Sequence, residues 1–308
     1  MKVLENQSTK AKLGLFLVTI VWGSAFAATK DATSDMPPSY IILFRFGIAA
    51  LLMVLLFSRK LKSITRTELT GGLLIGIVNV LGYEFQTYGV QYTTAGNNAF
   101  LTAVYCVIVP FLYWIFWHKR PTVFNILSAF LCMAGIGLLS LHNGFSMNKG
   151  DILSLMCSVC FALQIIVIDR YADRCDPFRL AFTQIAATAL LVLPAALSTE
   201  KLPTAVSTRT ILALIYTAVF CTLLAVLLQT ACQRHVAPSK ASLILSLESV
   251  FGALSGIIFL GEPVTERTFF GCLLIFGSIF LAEHTSETAR PKKPAKDLNC
   301  RNQNDPID

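Results

Sequence analysis

Three ionisable side chains lie well inside apolar stretches of this chain: Arg45, Glu84 and Glu248. A charge in hydrocarbon is costly, so residues of this kind face a protein interior or a water-filled path, where they pair, relay protons or meet a ligand. Glu248 sits about nine residues from the nearer end of its stretch, close to a bilayer midplane. A carboxylate there can carry a proton, attract an ammonium group of a cargo, or simply hydrogen-bond a neighbour. Arg45 and Glu84 each lie about five or six residues from the ends of their own stretches, roughly 9 Å in at ~1.5 Å per residue. Opposite charge at equal depth predicts an Arg45–Glu84 ion pair. It reads either as a clasp between two helices or as a gate, with Arg45 as an anchor for a ligand carboxylate.

Polar residues at helical spacing extend the candidate path. Asn97, Asn98, Leu101, Thr102 and Tyr105 recur every three to four residues, and so do Ser242, Leu245, Ser246 and Ser249. Asn79 and Gln86 add amides, and Trp22 adds an aromatic wall or a packing residue. The substrate pathway is therefore expected to run along Trp22, Asn79, Asn98, Thr102, Tyr105, Ser246, Glu248 and Ser249, with Glu248 as the proton or cargo carboxylate. The same residues do not make an enzyme. His118, His142, His235 and His284 stand singly at the ends of apolar stretches without metal-ligand spacing, the aspartates lie at edges or outside, and no GxxxxGK[ST] loop is present. No catalytic residue, metal or cofactor is expected.

The elements that must position these residues are membrane helices. Hydrophobic residues make up 55% of the 308 and charged residues 14%, against about 25% charged in soluble domains; mean hydropathy is +0.64. Ten stretches approach the roughly 20 apolar residues a span requires: 11–29, 40–57, 69–90, 94–117, 122–141, 150–168, 179–197, 210–231, 239–260 and 267–284. With the N-terminus in the cytoplasm, 19 Lys and Arg fall on the inside and 5 outside, Arg45 being within a span. That bias predicts both termini cytoplasmic and makes the net charge of +7 a topology signal rather than a nucleic-acid footprint. Lys10 and Lys12, an apolar run and Ala25-Phe26-Ala27 also resemble a signal peptide, but its removal would leave one repeat short of a helix. Cys157 and Cys160 form a CxxC inside an apolar helix and read as buried small residues. Gly72-xxx-Gly76 and Gly252-xxx-Gly256 read as internal helix contacts, and leave the oligomeric state open.

The chain is also written twice. Residues 92–141 recur, shifted by 143, at 235–284: Ala95 falls on Pro238, Tyr105 on Glu248, Ala134 on Gly277, and upstream Gln86 on Gln229. At a shift of 139, Trp22 falls near Phe161 and Arg45 near Gln184. The expected organisation is a cytoplasmic tail 1–10, a five-helix repeat 11–141, a second 150–284, and a basic, disordered cytoplasmic tail 285–308. Five spans per copy invert the second copy relative to the first, and such pairs bind cargo where they meet.

In Trp22-Gly23-Ser24, Phe44-Arg45-Phe46, Thr94-Ala95-Gly96 with Pro110, and Ala237-Pro238 through Gly261-Glu262-Pro263-Val264-Thr265, the chain resembles the EamA-type transporters of the drug/metabolite transporter superfamily, over about residues 14–284. It departs where the family often has a Glu after the fourth span and this chain has Lys119-Arg120, and in carrying Glu248. The resemblance implies an all-α membrane protein of ten transmembrane helices in two inverted repeats, and movement of small metabolites across the cell (inner) membrane. Expected partners are a small-molecule substrate, membrane lipid and a coupling proton, with no nucleic acid. Amphipathic compounds such as amino acids fit a cavity of aromatics, amides and one carboxylate, and export by alternating access is the expected direction. A lipid flippase is the alternative; an intramembrane enzyme lacks the facing carboxylates it would need, and a receptor would need no inverted repeat.

Overall fold

Large apolar side chains cover the outside of these helices, while glycines and polar side chains are buried inside among apolar ones. Leu69, Leu73, Leu74, Ile77 and Leu81 form an exposed apolar stripe on one helix, while Gly71, Gly72, Ile75, Gly76 and Asn79 are buried on its other side. The computed structural model describes residues 2–118, 120–140, 148–199, 201, 203, 205–263 and 266–283. The 285–308 tail, Lys119, Val264 and Thr265 lie outside them. The described residues form helices without a strand: α1 (Lys2–Ala32), α2 (Pro38–Leu61), α3 (Arg66–Tyr92), α4 (Ala95–Thr102), α5 (Tyr105–Trp117), α6 (Val123–Ser140), α7 (Lys149–Ala172), α8 (Pro177–Thr199), α9 (Thr208–Tyr216), a π-helical stretch (Thr217–Leu224), α10 (Ala225–Gln233), α11 (Pro238–Leu245), α12 (Glu248–Leu260) and α13 (Glu266–Glu283).

Among the described residues, seven spans are long and apolar enough to cross a membrane: Gln7–Ala32, Pro38–Leu61, Ala95–Trp117, Lys149–Ala172, Pro177–Ser198, Thr208–Gln233 and Pro238–Leu260. Helices α6 and α13 hold the shorter apolar segments Val123–Gly135 and Phe269–Ser278. Helix α3 has 27 residues, about 40 Å of helix. Its lower apolarity comes from the face carrying Asn79, Tyr83, Glu84 and Gln86. Helix α1 begins at Lys2, within the stretch expected to be a tail. No Gly or Pro between Lys2 and Lys10 stops it.

Two stretches expected as single spans are broken. The 94–117 span divides into α4 and α5, and the 239–260 span into α11 and α12. At each break the backbone tightens from i−4 to i−3 bonding: Cys106 N–H donates to Ala103 O at 3.1 Å, and Leu247 N–H to Ile244 O at 3.1 Å. The breaks are equivalent. Helices α4, α5 and α6 map onto α11, α12 and α13 at the shift of 143 at both ends of each helix. The packing follows the repeat: α3 lies against α7 as the α9–α10 segment lies against α1, while α2 packs on its own mate α8, and α6 on α13. Helix α3 also lies close on α8, where a Cβ at Gly72 would strike Thr183 and one at Gly76 would lie 2.6 Å from Ala187 Cβ.

One register change breaks the repeat. The cap Thr65 of α3 corresponds to the cap Ser207 of α9 at a shift of 142, but Gln86 corresponds to Gln229 at 143. The second copy therefore holds one extra residue between these points, and the helix absorbs it as the π-helical stretch Thr217–Leu224. Single added residues in a helix are accommodated in this way, often near functional sites.

Candidate functional site

A narrow cavity lies in the middle of the bundle. Both repeats build it. From the first come Trp22, Phe26 and Thr29 on α1, Arg45 on α2, Tyr83, Gln86 and Val90 on α3, and Asn98 and Tyr105 from the two halves of the first broken span; the second gives Phe161, Gln164 and Ile165 on α7, Gln229 on α10, and Leu245 and Glu248 flanking the second break. Thr29 and Val90 lie near the ends of α1 and α3, so the cavity extends toward the face where α1 finishes. Toward the start of α1 the packing is solid: Leu15 and Val18 are buried, and Phe16 meets Phe251 edge-on with centroids 5.9 Å apart.

Each break brings one side chain to the cavity wall. Tyr105 is the first residue of α5 and Glu248 the first of α12. Their hydroxyl and carboxyl face each other within interaction range, without the alignment of a formed hydrogen bond. Glu248 is 4% exposed and Arg45 5%. Tyr83 lies in the electrostatic reach of both and puts its ring 4.9 Å from the Arg45 guanidinium carbon. Among its described lining residues the cavity thus holds one cation and one carboxyl group, on a wall of aromatics, amides and a few aliphatic side chains. Gln229 Nε2 donates to Gln164 Oε1 at 3.4 Å, and Asn98 Nδ2 to Ser154 Oγ at 2.8 Å and Gln86 O at 3.2 Å.

The expected pathway residues separate into two groups. Trp22, Asn98, Tyr105 and Glu248 line the cavity. Asn79, Thr102, Ser246 and Ser249 are buried away from it. The serine hydroxyls are used by their own backbone, Ser246 donating to Leu243 O and Ser249 to Ser246 O, both at 2.7 Å. Thr102 turns to Cys157 Sγ at 3.9 Å. Helical spacing placed them on one stripe, but the break rotates that stripe.

The expected Arg45–Glu84 pair is not formed. Arg45 Nε donates to Thr222 Oγ1 at 2.6 Å and Nη2 to Cys221 O at 3.4 Å, both in the π-helical stretch. Glu84 Oε2 instead accepts from Ser39 Oγ at 3.2 Å. Ser39 is at the start of α2, six residues from Arg45, so α3 overshoots α2 by about two turns. Equal counts from two helix ends are therefore not equal heights.

The cavity wall also contains residues that the sequence does not single out for the path, among them Tyr83, Phe26, Phe161, Gln164 and Gln229. A signal for two of them was available: Phe161 is the repeat mate of Trp22, and Gln229 that of Gln86, and all four line the cavity.

Comparison with known proteins supplies the family. The EamA-like transporter family model matches residues 9–141 and again 148–283. An uncharacterized transporter of Archaeoglobus fulgidus is 36% identical over 272 residues, 88% of this chain and 85% of that one. The uncharacterized inner membrane transporter YedA of Escherichia coli is 25% identical, over 82% of this chain and 83% of its own. Protein PecM of Dickeya dadantii is 23% identical over 94% and 99%. A crystal structure of another protein, 15% identical, superposes with a TM-score of 0.73 over 89% of this chain and 96% of that one, which is a likeness of fold. Two family matches, one to each copy, and a membrane bundle with a cavity between the copies lead to one conclusion: the chain belongs to the EamA-like transporter family.

Proposed function

We propose that the protein exports small amphipathic metabolites, amino acids and related compounds, by alternating access through the central cavity, as a multi-pass protein of the cell membrane with both termini cytoplasmic. The observation that carries this reading is a cavity between two inverted repeats that holds one guanidinium, Arg45, and one carboxyl, Glu248. A zwitterion offers each of them its complement, and the aromatic faces of Trp22, Tyr83 and Phe161 suit an apolar side chain. Glu248 and Tyr105 open half-helices at the meeting of the repeats, where transporters of this build bind cargo. Glu248 is also the proposed site of a coupling proton. With the start of α1 in the cytoplasm, the packed Phe16–Phe251 end faces inward and the cavity faces outward.

The test has two arms. Metabolite profiles of the medium from cells overexpressing the protein and from vector controls should differ by enrichment of zwitterionic or amphipathic solutes. Purified protein in vesicles should then release the enriched solute whether or not extra phospholipid is present. Lipid movement between leaflets without solute release would favour a flippase and overturn the proposal.

A further inference from the structure

The register change between the repeats coincides with the partners of Arg45. The extra residue of the second copy lies within the segment whose π-helical part is Thr217–Leu224, and two groups of that part point to the cavity wall. The Cys221 carbonyl accepts Trp22 Nε1 at 2.8 Å and Arg45 Nη2 at 3.4 Å, and the Thr222 hydroxyl accepts Arg45 Nε at 2.6 Å. In a regular helix a backbone carbonyl bonds the amide four residues on; the wider turn leaves carbonyls for other donors. The remaining amino group, Nη1, meets no protein acceptor among the described residues, yet Arg45 lines the cavity.

The arrangement is not required by the scaffold. Gln184, the repeat mate of Arg45, is neutral and donates to Thr230 Oγ1 at 2.9 Å on α10. It does not reach for α3, the counterpart of the π-helical segment. The cation and the inserted residue are thus two asymmetries that meet at one place.

We propose that the π-helical stretch builds an anion subsite: Thr222 and Cys221 hold the Arg45 guanidinium by Nε and Nη2 and present Nη1 to a carboxylate or similar singly charged oxyanion of the cargo. Arg45 touches the ligand; Thr222 and the Cys221 carbonyl are positioning groups. Guanidinium suits this task because its fork bonds on one edge while offering another to an oxyanion. The Tyr83 ring packs against the guanidinium, its centroid 4.9 Å from the guanidinium carbon. The inference rests on the cavity being the cargo path.

Trp22 is a built-in reporter, since its indole shares the Cys221 carbonyl. With Trp114→Phe and Trp117→Phe as background, its fluorescence is titrated in purified protein with 4-methylpentanoate and with 3-methylbutylamine, which share an apolar skeleton and differ in terminal charge. The acid should bind saturably. Arg45→Lys and Thr222→Val should each weaken it about tenfold, the scale of one charge-assisted hydrogen bond, and leave the amine unchanged. Deleting Phe220, which restores the regular helix count, should do the same; if that variant does not fold, Thr222→Val carries the test. Absence of acid binding, an acid affinity untouched in Arg45→Lys and Thr222→Val, or equal loss for acid and amine overturns the subsite. Binding is read without transport. A protein that binds the acid but moves no solute in vesicles therefore overturns the transport reading alone.

Discussion

His118 and Gly261 stand 143 residues apart in sequence and both hold a left-handed backbone, with φ of 54° and 69°. Each ends the second half of a broken span, His118 after α5 and Gly261 after α12. The repeat has thus kept a conformation while changing the residue that adopts it. A Cβ at Gly261 would meet nothing within 4 Å. Gly261→Ala should then cost only the left-handed penalty of about 1–2 kcal/mol. His118→Gly should gain up to about 1 kcal/mol, reduced by the freedom glycine adds to the unfolded chain. Thermal unfolding in detergent checks both. A Gly261→Ala protein as stable as the parent would mean that the turn is not held as described.

Two acidic clasps mirror each other across the bundle. Near the start of α3, Glu68 accepts from Asp176 N–H at 3.0 Å and meets Arg179 Nε at 3.0 Å. On the opposite face, Asp35 in the α1–α2 loop accepts from Ser207 N–H at 3.2 Å and Thr210 Oγ1 at 2.8 Å at the start of α9. Hydrogen bonds from Ser207 and then Thr210 hold the Asp35 carboxyl below its usual range. A depressed carboxylate stabilises the fold above its unfolded pKa of about 3.9 and loses that contribution as pH falls through the lower folded value. Asp35→Asn should therefore lower the melting temperature at neutral pH, with the difference shrinking below about pH 4. A difference independent of pH would show that the charge is not what matters.

How much of this was legible in the sequence depends on what each signal measures. Hydropathy marks lipid-facing surface and so located the helices, including α3 despite its polar face. The shift of 143 paired Tyr105 with Glu248 because both copies keep one spacing through their breaks. The breaks themselves carry no Gly or Pro at Ala103-Val104 or Ser246-Leu247, so stripe arguments ran straight through them and placed Ser246 and Ser249 in the path. Counting from helix ends misjudged Arg45 and Glu84, since relative height is set by tertiary packing. The π-helical stretch was encoded as a change of shift from 142 to 143, visible only when the caps Thr65 and Ser207 are aligned as well.

Arg45 and Glu84 should behave independently. Arg45→Gln removes the contacts to Thr222 and Cys221, and Glu84→Gln alters the contact to Ser39. Residues without shared partners add to within about 0.3–0.5 kcal/mol. A double mutant whose loss of stability equals the sum of the singles fits the structure. Rescue of one by the other would restore the ion pair that the structure does not form.

Topology is open to a direct check. The excess of basic residues on one side predicts that reporter fusions at Asn143 and at Asp173 lie on opposite sides of the membrane, Asp173 with the termini. Residue 143 is outside the described residues, but α7 starts at Lys149, is long and apolar enough to cross a membrane, and ends at the cap Asp173. A periplasmic reporter active at Asn143 and silent at Asp173 is expected. Equal signals would remove the crossing by α7 and with it the inverted relation of the copies.

The last prediction separates the two tasks open to Glu248. Its carboxyl lies in the cavity wall opposite the Tyr105 hydroxyl, at the first turn of α12. Glu248→Gln keeps the shape and one hydrogen-bonding oxygen while removing the ionisable group, so the folded yield should be nearly unchanged. If the carboxyl carries a coupling proton, transport in vesicles should lose its dependence on pH while apparent affinity for cargo stays close to the parent. If it holds the ammonium group, affinity should fall about tenfold or more, as for a lost charge-assisted hydrogen bond, and the pH profile should keep its form. Tyr105→Phe should follow in milder degree whichever outcome holds, because the hydroxyl acts through the carboxyl it faces. Normal rate, affinity and pH profile in both variants would mean that the meeting of the two half-helices is structural and that cargo passes elsewhere.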